Sequence, residues 1–188
     1  MSLYIPIVLG TARQGRKSEL VANYVLSFFK KLDVEIELID VRDFVQGSTY
    51  GHNQNIDLWK SKATKADGLI IVTPEYNHGY PGELKIFLDN IYHELSHKPL
   101  GLVGVSSGTI GGSRAIEQLK LLAIEFHMVP VRTSVYFGPV ASLFDENNDL
   151  KDKTTWDKSM VGMTDEFLWY ARALQRDRQE FVDDPVNK

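Results

Sequence analysis

Residues 3–18 read LYIPIVLGTARQGRKS and give the first and clearest indication of the fold. A mostly apolar run is followed by a polar loop containing two glycines, and an amphipathic segment starts at Ser18. A strand, a loop and a helix in this order form the opening unit of a parallel sheet with helical connections. Because proline is unusual inside a central strand, we expect this strand to start near Ile7 or to carry a bulge at Pro6.

The same alternation continues along the chain. Apolar residues at helical spacing predict a helix after each strand, the third carrying a stripe from Leu84 to Leu95 and the last a stripe from Trp156 to Leu174. The strand-like runs are Leu3–Leu9, Val34–Asp40, Gly68–Thr73, Leu100–Val105 and Val129–Val135. Several of them are continuously apolar, as expected for parallel strands that are covered on both faces.

Length and composition exclude several classes of protein. The chain has 188 residues, enough for one domain with a hydrophobic core but short for two. A net charge of −4 argues against a surface that coats nucleic acid or a polybasic membrane patch. Cysteine is absent, which excludes disulfides, thiolate metal sites and thiol catalysis. With no apolar run of membrane-spanning length and no signal-peptide pattern, we expect a cytoplasmic enzyme or binding domain.

The first loop, residues 10–18, has the character of an anion site. Ser18 is predicted as the N-cap of the first helix, where free N–H groups and the helix dipole favour an anion. The loop nearly matches the GxxxxGK[ST] phosphate loop but is out of register, which argues against a nucleotide kinase. A solvated, charged turn is the alternative to phosphate binding. The loop also holds the hydroxyl of Thr11 and three cations, Arg13, Arg16 and Lys17.

Two further loops follow strands and are unusually rich in polar or small residues. Residues 73–82, TPEYNHGYPG, could bind a flat ligand rich in heteroatoms through backbone groups and the face of Tyr76. Residues 105–113, VSSGTIGGS, could wrap backbone amides around a planar edge. Ligands of open parallel sheets bind beyond the carboxyl ends of the strands, so these three loops define the expected site.

Two other motifs are typical of different enzymes. Residues 104–108, GVSSG, match the nucleophile elbow of serine hydrolases, but no acid and histidine follow Ser106 in a suitable triad arrangement. Residues 93–97, HELSH, match the HExxH zinc-peptidase motif. Pro99 should end that helix and leave both imidazoles in its last turn, away from the ligand edge. A hydrolase using Ser106, or the His93 and His97 pair, remains an alternative.

Together, the segments GTARQGRKSE, TPEYNHGYPGELK and SSGTIGG resemble the NADPH-dependent FMN reductase family, in its order and at its strand–helix junctions. The resemblance runs over residues 3–145. It implies a flavodoxin-like three-layer α/β sandwich, with a five-stranded parallel sheet of order 2-1-3-4-5 and helices on both faces. We expect a single FMN-binding domain over residues 1–176 and a frayed tail over residues 177–188.

The resemblance also implies the site residues. The phosphate of FMN would be held by Thr11, Arg13 and Ser18. The isoalloxazine ring would be lined, mostly by backbone groups, by Pro74, Glu75, Tyr76 and Asn77, and its other edge closed by Ser107, Gly108, Gly111 and Gly112. Arg16 and Lys17 are extra cations for this phosphate or for the 2′-phosphate of NADPH. The chain reads LKIFLDN where the family often has LKNALDW, so partner contacts and the acceptor pocket are open at Ile86, Phe87 and Asn90.

The implied activity is hydride transfer from NADPH or NADH through FMN to a small acceptor such as a flavin, a quinone or an azo compound. The protein would then need no metal and no catalytic side chain of its own, because the chemistry belongs to the cofactor. Family members are commonly dimers or tetramers, so we expect a homodimer or homotetramer. A flavodoxin-like carrier that binds FMN without reacting with NAD(P)H is the alternative on the same fold.

Overall fold

A computed structural model of the protein describes residues 2–45 and 54–183. Its strands form one parallel sheet in the order β2-β1-β3-β4, and β5 and β6 both pair with β4 at the far edge. The predicted α/β class and strand order are therefore confirmed. The strands are β1 Leu3–Leu9, β2 Val34–Asp40, β3 Leu69–Pro74, β4 Pro99–Val105, β5 Val129–Pro130 and β6 Val135–Phe137.

Helices cover both faces of the sheet. The helices are α1 Ser18–Phe29, α2 Gln54–Lys65, α3 Gly82–Leu88, α4 Ser113–Glu125, the single turn α5 Val140–Leu143, and α6 Lys153–Asp183. Buried residues of α1 and α6 share one apolar core with β1, and those of α2, α3 and α4 share a second core on the opposite face. This three-layer arrangement leaves the loops at the two edges of the sheet free to carry function. Within residues 2–45 and 54–183, no helix has the length and apolar character needed to cross a membrane.

Two strands that contain proline have interrupted hydrogen-bonded pairing with a neighbouring strand. β1 begins at Leu3 and pairs with β2 residue for residue through Pro6, so the expected start near Ile7 and the alternative of a bulge at Pro6 are both wrong. β1 pairs with β3 only from Ile7 onward. The predicted strand 129–135 is divided into β5 and β6. Pro130 lacks an N–H, and β4 advances by three residues between these pairs while the chain advances by five. The two extra residues form the interruption.

The third helix is shorter than its apolar stripe predicts. It ends at Leu88, and the chain continues through a 3-10 turn at His93–Leu95, although Ile91 and Leu95 are both buried. The side-chain amide of Asn90 donates to the carbonyl of Ile86 at 2.7 Å and so satisfies one of the last carbonyls of the helix. Spacing therefore predicted which residues are buried but not their backbone conformation.

The last helix continues through Asp183, beyond the domain boundary expected at residue 176. Arg178 donates to Asp67 at 2.8 Å and to the carbonyl of His97 at 2.8 Å, which ties this part of the helix to the amino edge of the sheet. Residues 177–183 of the segment expected to fray are thus helical, and residues 184–188 lie outside the described residues.

Candidate functional site

Three neighbouring strands deliver the three unusual loops to one edge of the sheet. β1 lies next to β3 and β3 next to β4, all parallel, so the loops after Leu9, Pro74 and Val105 are adjacent at the carboxyl edge. Loop 1 (residues 10–17), loop 2 (residues 75–81) and loop 3 (residues 106–112) therefore lie where an open α/β sheet binds its ligand.

The three cations of loop 1 have different environments. Arg13 and Lys17 are exposed, whereas the side chain of Arg16 is 1% exposed. The Arg16 guanidinium makes two hydrogen bonds to the Asp40 carboxylate, one of them at 2.8 Å, and a further one to the carbonyl of Thr11. Burial alone would raise the pKa of Asp40, but hydrogen bonds from Arg16 and from the backbone N–H of Arg42 outweigh it and lower this pKa. Only Arg13 and Lys17 of the three present their charge to solvent.

Ser18 is buried at the start of α1 with no hydrogen-bond partner for its hydroxyl. It is the first helical residue, so the prediction that it is the N-cap is wrong by one position; Lys17 is the cap and makes no side-chain capping bond. A buried hydroxyl without a partner is costly, and the first N–H groups of a helix attract anions. An anion bound at this end of α1 would accept hydrogen bonds from both the Ser18 hydroxyl and the first N–H groups of the helix.

Loop 1 is connected to the start of α3 by a carboxylate that the sequence did not single out. Glu83, in the first turn of α3, accepts from the hydroxyl of Thr11 and from the backbone N–H of Ala12, both at 2.9 Å. These bonds hold the pKa of Glu83 below its usual range, although burial acts in the opposite direction. The Thr11 hydroxyl, fully buried, also lies 3.2 Å from the hydroxyl of Tyr76. In the sequence, the signal that could have pointed to Glu83 is a charged residue among the apolar residues that begin the helix.

Loop 2 contains a tight turn at residues 76–79. Tyr76 and Gly79 exchange backbone hydrogen bonds of 2.8 and 3.0 Å, and the two residues between them, Asn77 and His78, have φ of 49° and 69°. Positive φ at both central positions is the type I′ geometry that asparagine tolerates well. Asn77 is exposed at the tip of the turn, whereas the ring of Tyr76 lies inward, 5.9 Å from the Arg13 guanidinium.

The other two predicted residues of this segment, Pro74 and Glu75, have largely buried side chains. Pro74 is buried at the end of β3. The carboxylate of Glu75 accepts from the backbone N–H of Arg114 at 3.1 Å and from its guanidinium at 3.0 Å. The Glu75 carboxylate thus caps the start of α4. Since the Glu75 N–H also donates to the Val105 carbonyl at 3.0 Å, the backbone carbonyl of Glu75 is the group left for a ligand.

Loop 3 divides into an exposed half and a packed half. Ser107 and Gly108 are exposed. Gly111 and Gly112 are buried, with φ of 60° and 87°, and a Cβ at Gly111 would lie 2.6 Å from Tyr136. These two glycines are required by close packing against the strands, whatever the loop binds.

The hydrolase motifs are not assembled. Ser106 donates to the carbonyl of Gly108 at 2.8 Å, and His127 precedes β5, which pairs with the start of β4, at the opposite edge of the sheet. His93 lies in a 3-10 turn and His97 has a φ of 57°, so the expectation that both occupy the last turn of a helix is wrong. Among the residues that the structure describes, no three histidine, aspartate or glutamate side chains form a group able to hold a metal ion.

A doubly wound parallel sheet with an anion-suited first loop at its carboxyl edge defines the class of flavodoxin-like nucleotide-binding proteins. The family model of the NADPH-dependent FMN reductases matches residues 4–141. The chain therefore belongs to the NADPH-dependent FMN reductase family, and the predicted family is confirmed. It is a family of oxidoreductases whose cofactors are FMN and NAD(P)H.

Individual relatives agree with this assignment. The chain is similar to an NAD(P)H-dependent FMN reductase of Schizosaccharomyces pombe, with 34% identity over 63% of this chain and 64% of the relative. It is 32% identical to an FMN-dependent NADPH-azoreductase of Staphylococcus aureus over 69% of this chain and 73% of that one. The chain thus spans about two thirds of the length of these relatives.

Solved structures confirm the flavodoxin-like fold. The flavoenzyme NAD(P)H:(acceptor) oxidoreductase FerB of Paracoccus denitrificans superposes with a TM-score of 0.76 at 19% identity, over 90% of this chain and 98% of that chain. A flavodoxin of Streptococcus pneumoniae TIGR4 gives a TM-score of 0.57 at 15% identity, over 88% and 97%. Enzymes and a flavodoxin share the fold, so the fold alone does not separate them.

Proposed function

We propose that this protein binds FMN at the carboxyl edge of its sheet and uses it to pass a hydride from NAD(P)H to a small acceptor. FMN, when bound, accepts and donates the hydride through its ring system, and the chain's own task is to bind, orient and shield it. The observation that carries the proposal is the partnerless buried hydroxyl of Ser18, beside the exposed cations Arg13 and Lys17.

The phosphate of FMN would lie at the N-terminus of α1. Ser18 would donate its hydroxyl to a phosphate oxygen, and Arg13 would add an exposed charge-assisted contact. Thr11 would contribute through the shape of the loop, because its hydroxyl is already engaged with Glu83. Arg16 is buried against Asp40, so it would not reach the 2′-phosphate of NADPH, which leaves Lys17 for that role.

The isoalloxazine ring would lie between loops 2 and 3. Backbone groups from Pro74 to Asn77 would meet one edge of the ring, with the half-buried Tyr76 beside it. Ser107 and Gly108 would close the other edge, and Gly111 and Gly112 would support them by holding loop 3 against the strands. In this arrangement no side chain acts as an acid or a nucleophile.

The acceptor belongs to the class of small, planar, reducible molecules. The azoreductase name of the staphylococcal relative favours an azo compound among the flavins, quinones and azo compounds considered. We expect the protein to act in the cytoplasm, where reduced pyridine nucleotides are available.

The test is spectroscopic. The protein reconstituted with FMN should absorb near about 450 nm and bleach when NADPH or NADH is added without oxygen. Ser18→Ala should lower the affinity for FMN about tenfold, because one charge-assisted hydrogen bond is lost. Ser27→Ala is the control, since the Ser27 hydroxyl lies on the exposed side of α1 and donates to Asn23. A protein that cannot be reconstituted would refute the proposal, and a band unaffected by either nucleotide would indicate an electron carrier.

We further propose that the protein is a homo-oligomer that associates through α4. Leu121 and Ile124 are 70% and 68% exposed and lie about one turn apart on one face of α4. A second copy of the chain would cover this patch. Leu121→Lys should lower the mass measured by light scattering to that of a monomer, whereas Trp169→Lys, at an equally exposed apolar residue of α6, should not. An unchanged mass in Leu121→Lys would rule out α4 as the interface.

A further inference from the structure

The side chain of Arg16 is buried beneath the backbone of loop 1 and does not project into solvent. Its side chain is 1% exposed, compared with 24% for the side chain of Asp40, to which its guanidinium makes two hydrogen bonds. Its Nε lies 3.5 Å from the Glu19 carboxylate. The charge of Arg16 is therefore compensated inside the protein, and Arg16 contributes little to the positive potential at the surface.

The same guanidinium fixes one peptide plane of loop 1. The Thr11 carbonyl accepts from Arg16 on one side, and the N–H of the following residue, Ala12, donates to Glu83 at 2.9 Å on the other. Since the carbonyl and N–H of a trans peptide point in opposite directions, this plane is held from both sides by groups of opposite charge. The next N–H, that of Arg13, lies 3.3 Å from the Thr11 hydroxyl.

Arg16 also closes the loop on itself and on the sheet. Its side chain reaches back five residues to Thr11 while it is anchored to Asp40 at the carboxyl end of β2. A loop that is already fixed before its ligand arrives loses less conformational entropy on binding. Lys17, the adjacent residue with the same charge, is exposed and has no such contacts among the described residues.

We infer that Arg16 is a positioning residue that holds loop 1 in the shape that receives the cofactor phosphate, without touching the phosphate itself. This inference rests on the proposed function, in which the FMN phosphate binds at loop 1. Arg16 acts through the Thr11–Ala12 peptide and Asp40, and a lysine at the same position could not reproduce this two-sided contact, because its ammonium lacks the planar fork of donors. The neighbouring Lys17 contributes charge only.

The experiment compares FMN with riboflavin, which has the same ring system and no phosphate. In Arg16→Met, we expect the affinity of the apoprotein for FMN to fall at least tenfold and the affinity for riboflavin to stay within twofold. General damage to the fold would weaken both ligands equally and would overturn the inference. Arg16→Lys should recover only part of the loss, because lysine keeps the charge but cannot reach both partners in the same geometry.

Lys17→Met is the matched control. Its effect on FMN affinity should be about twofold at low salt and vanish at about 0.5 M salt, since exposed charges are screened. The Arg16→Met effect should persist at this salt concentration. An equal loss in the two variants would overturn the inference, because charge alone would then explain both.

A second variant covers the case in which Arg16→Met does not fold. Asp40→Asn, which removes the anchor but keeps Arg16, should show the same selective loss of FMN affinity; an unchanged affinity would overturn the inference. A wild-type protein that binds FMN no better than riboflavin would refute phosphate binding at loop 1. Normal FMN binding by wild type and by Arg16→Met would refute the positioning role alone.

Discussion

Glu83 offers the sharpest test of how the site is built, because one carboxylate oxygen holds two groups of loop 1. In Glu83→Ala the Thr11 hydroxyl and the Ala12 N–H both lose an acceptor at 2.9 Å. Hydrogen bonds to a charged group contribute about 1.5–3 kcal/mol each. Because Glu83 is partly exposed, we take the lower end for each of the two bonds and expect the free energy of unfolding to fall by about 3 kcal/mol.

Glu83→Gln should cost less, about 1 kcal/mol, because the amide oxygen still accepts both bonds and only the charge is lost. Urea denaturation of the apoprotein at pH 7, followed by circular dichroism, measures both variants. Glu117→Ala is the control: Glu117 is exposed and paired with Lys120 three residues along the same helix, so its loss should cost under about 0.5 kcal/mol.

The pH dependence gives an independent check on the same residue. The folded pKa of Glu83 is lowered, so the unfolded state takes up the proton at a higher pH than the folded state does. The stability from its charge is present above the pKa of an unfolded glutamate, about 4.3, and is lost as the pH falls through the lower folded pKa. The difference in the free energy of unfolding between wild type and Glu83→Gln should therefore become smaller from pH 6 to pH 3. A gap that widens with acid, or a Glu83→Ala protein as stable as wild type, would show that these bonds do not stabilise loop 1.

Two further variants test loop 3 and the buried lysine. Gly111→Ala should lower the free energy of unfolding by at least about 2 kcal/mol, because φ is 60° and the new Cβ would lie 2.6 Å from Tyr136. Gly108→Ala is the control and should be nearly neutral in the same denaturation assay, because its Cβ would have no atom nearer than 3.9 Å. Lys98 is buried, and burial lowers its pKa to about 8, below its unfolded value. The free energy of unfolding of wild type should therefore rise by up to about 3 kcal/mol relative to that of Lys98→Met between pH 7 and pH 11, and a difference that stays constant would contradict the lowered pKa.

The fold could be predicted from the sequence because the signals that set it are local. Continuous apolar runs predicted the parallel strands, and apolar residues at helical spacing predicted which residues face the core. Backbone conformation was predicted less well where residues at helical spacing are buried but do not lie in a helix. Leu95 is fully buried as its spacing predicts, yet it lies in a 3-10 turn because α3 ends seven residues earlier.

The three loops were predicted to lie together at the carboxyl edge of the sheet, and they do, but the hydrogen bonds among them could not be predicted. Arg16 and Asp40 are 24 residues apart, and Thr11 and Glu83 are 72 apart, so nothing in either local stretch indicates the pairing. The sequence shows three cations close together and suggests that all face one anion. The tertiary structure determines which of these charges is paired with a neighbouring carboxylate and which are exposed to solvent.

This distinction changes how the loop would recognise the proposed phosphate. If three exposed cations attracted it, binding would depend strongly on salt and the order of the cations along the loop would matter little. With Arg16 neutralised by Asp40, the proposed phosphate would be attracted by Arg13, Lys17 and the start of α1, and selectivity would come from the fixed backbone between Thr11 and Ser18. A loop built in this way can select a phosphate by shape while the protein as a whole stays acidic, at a net charge of −4.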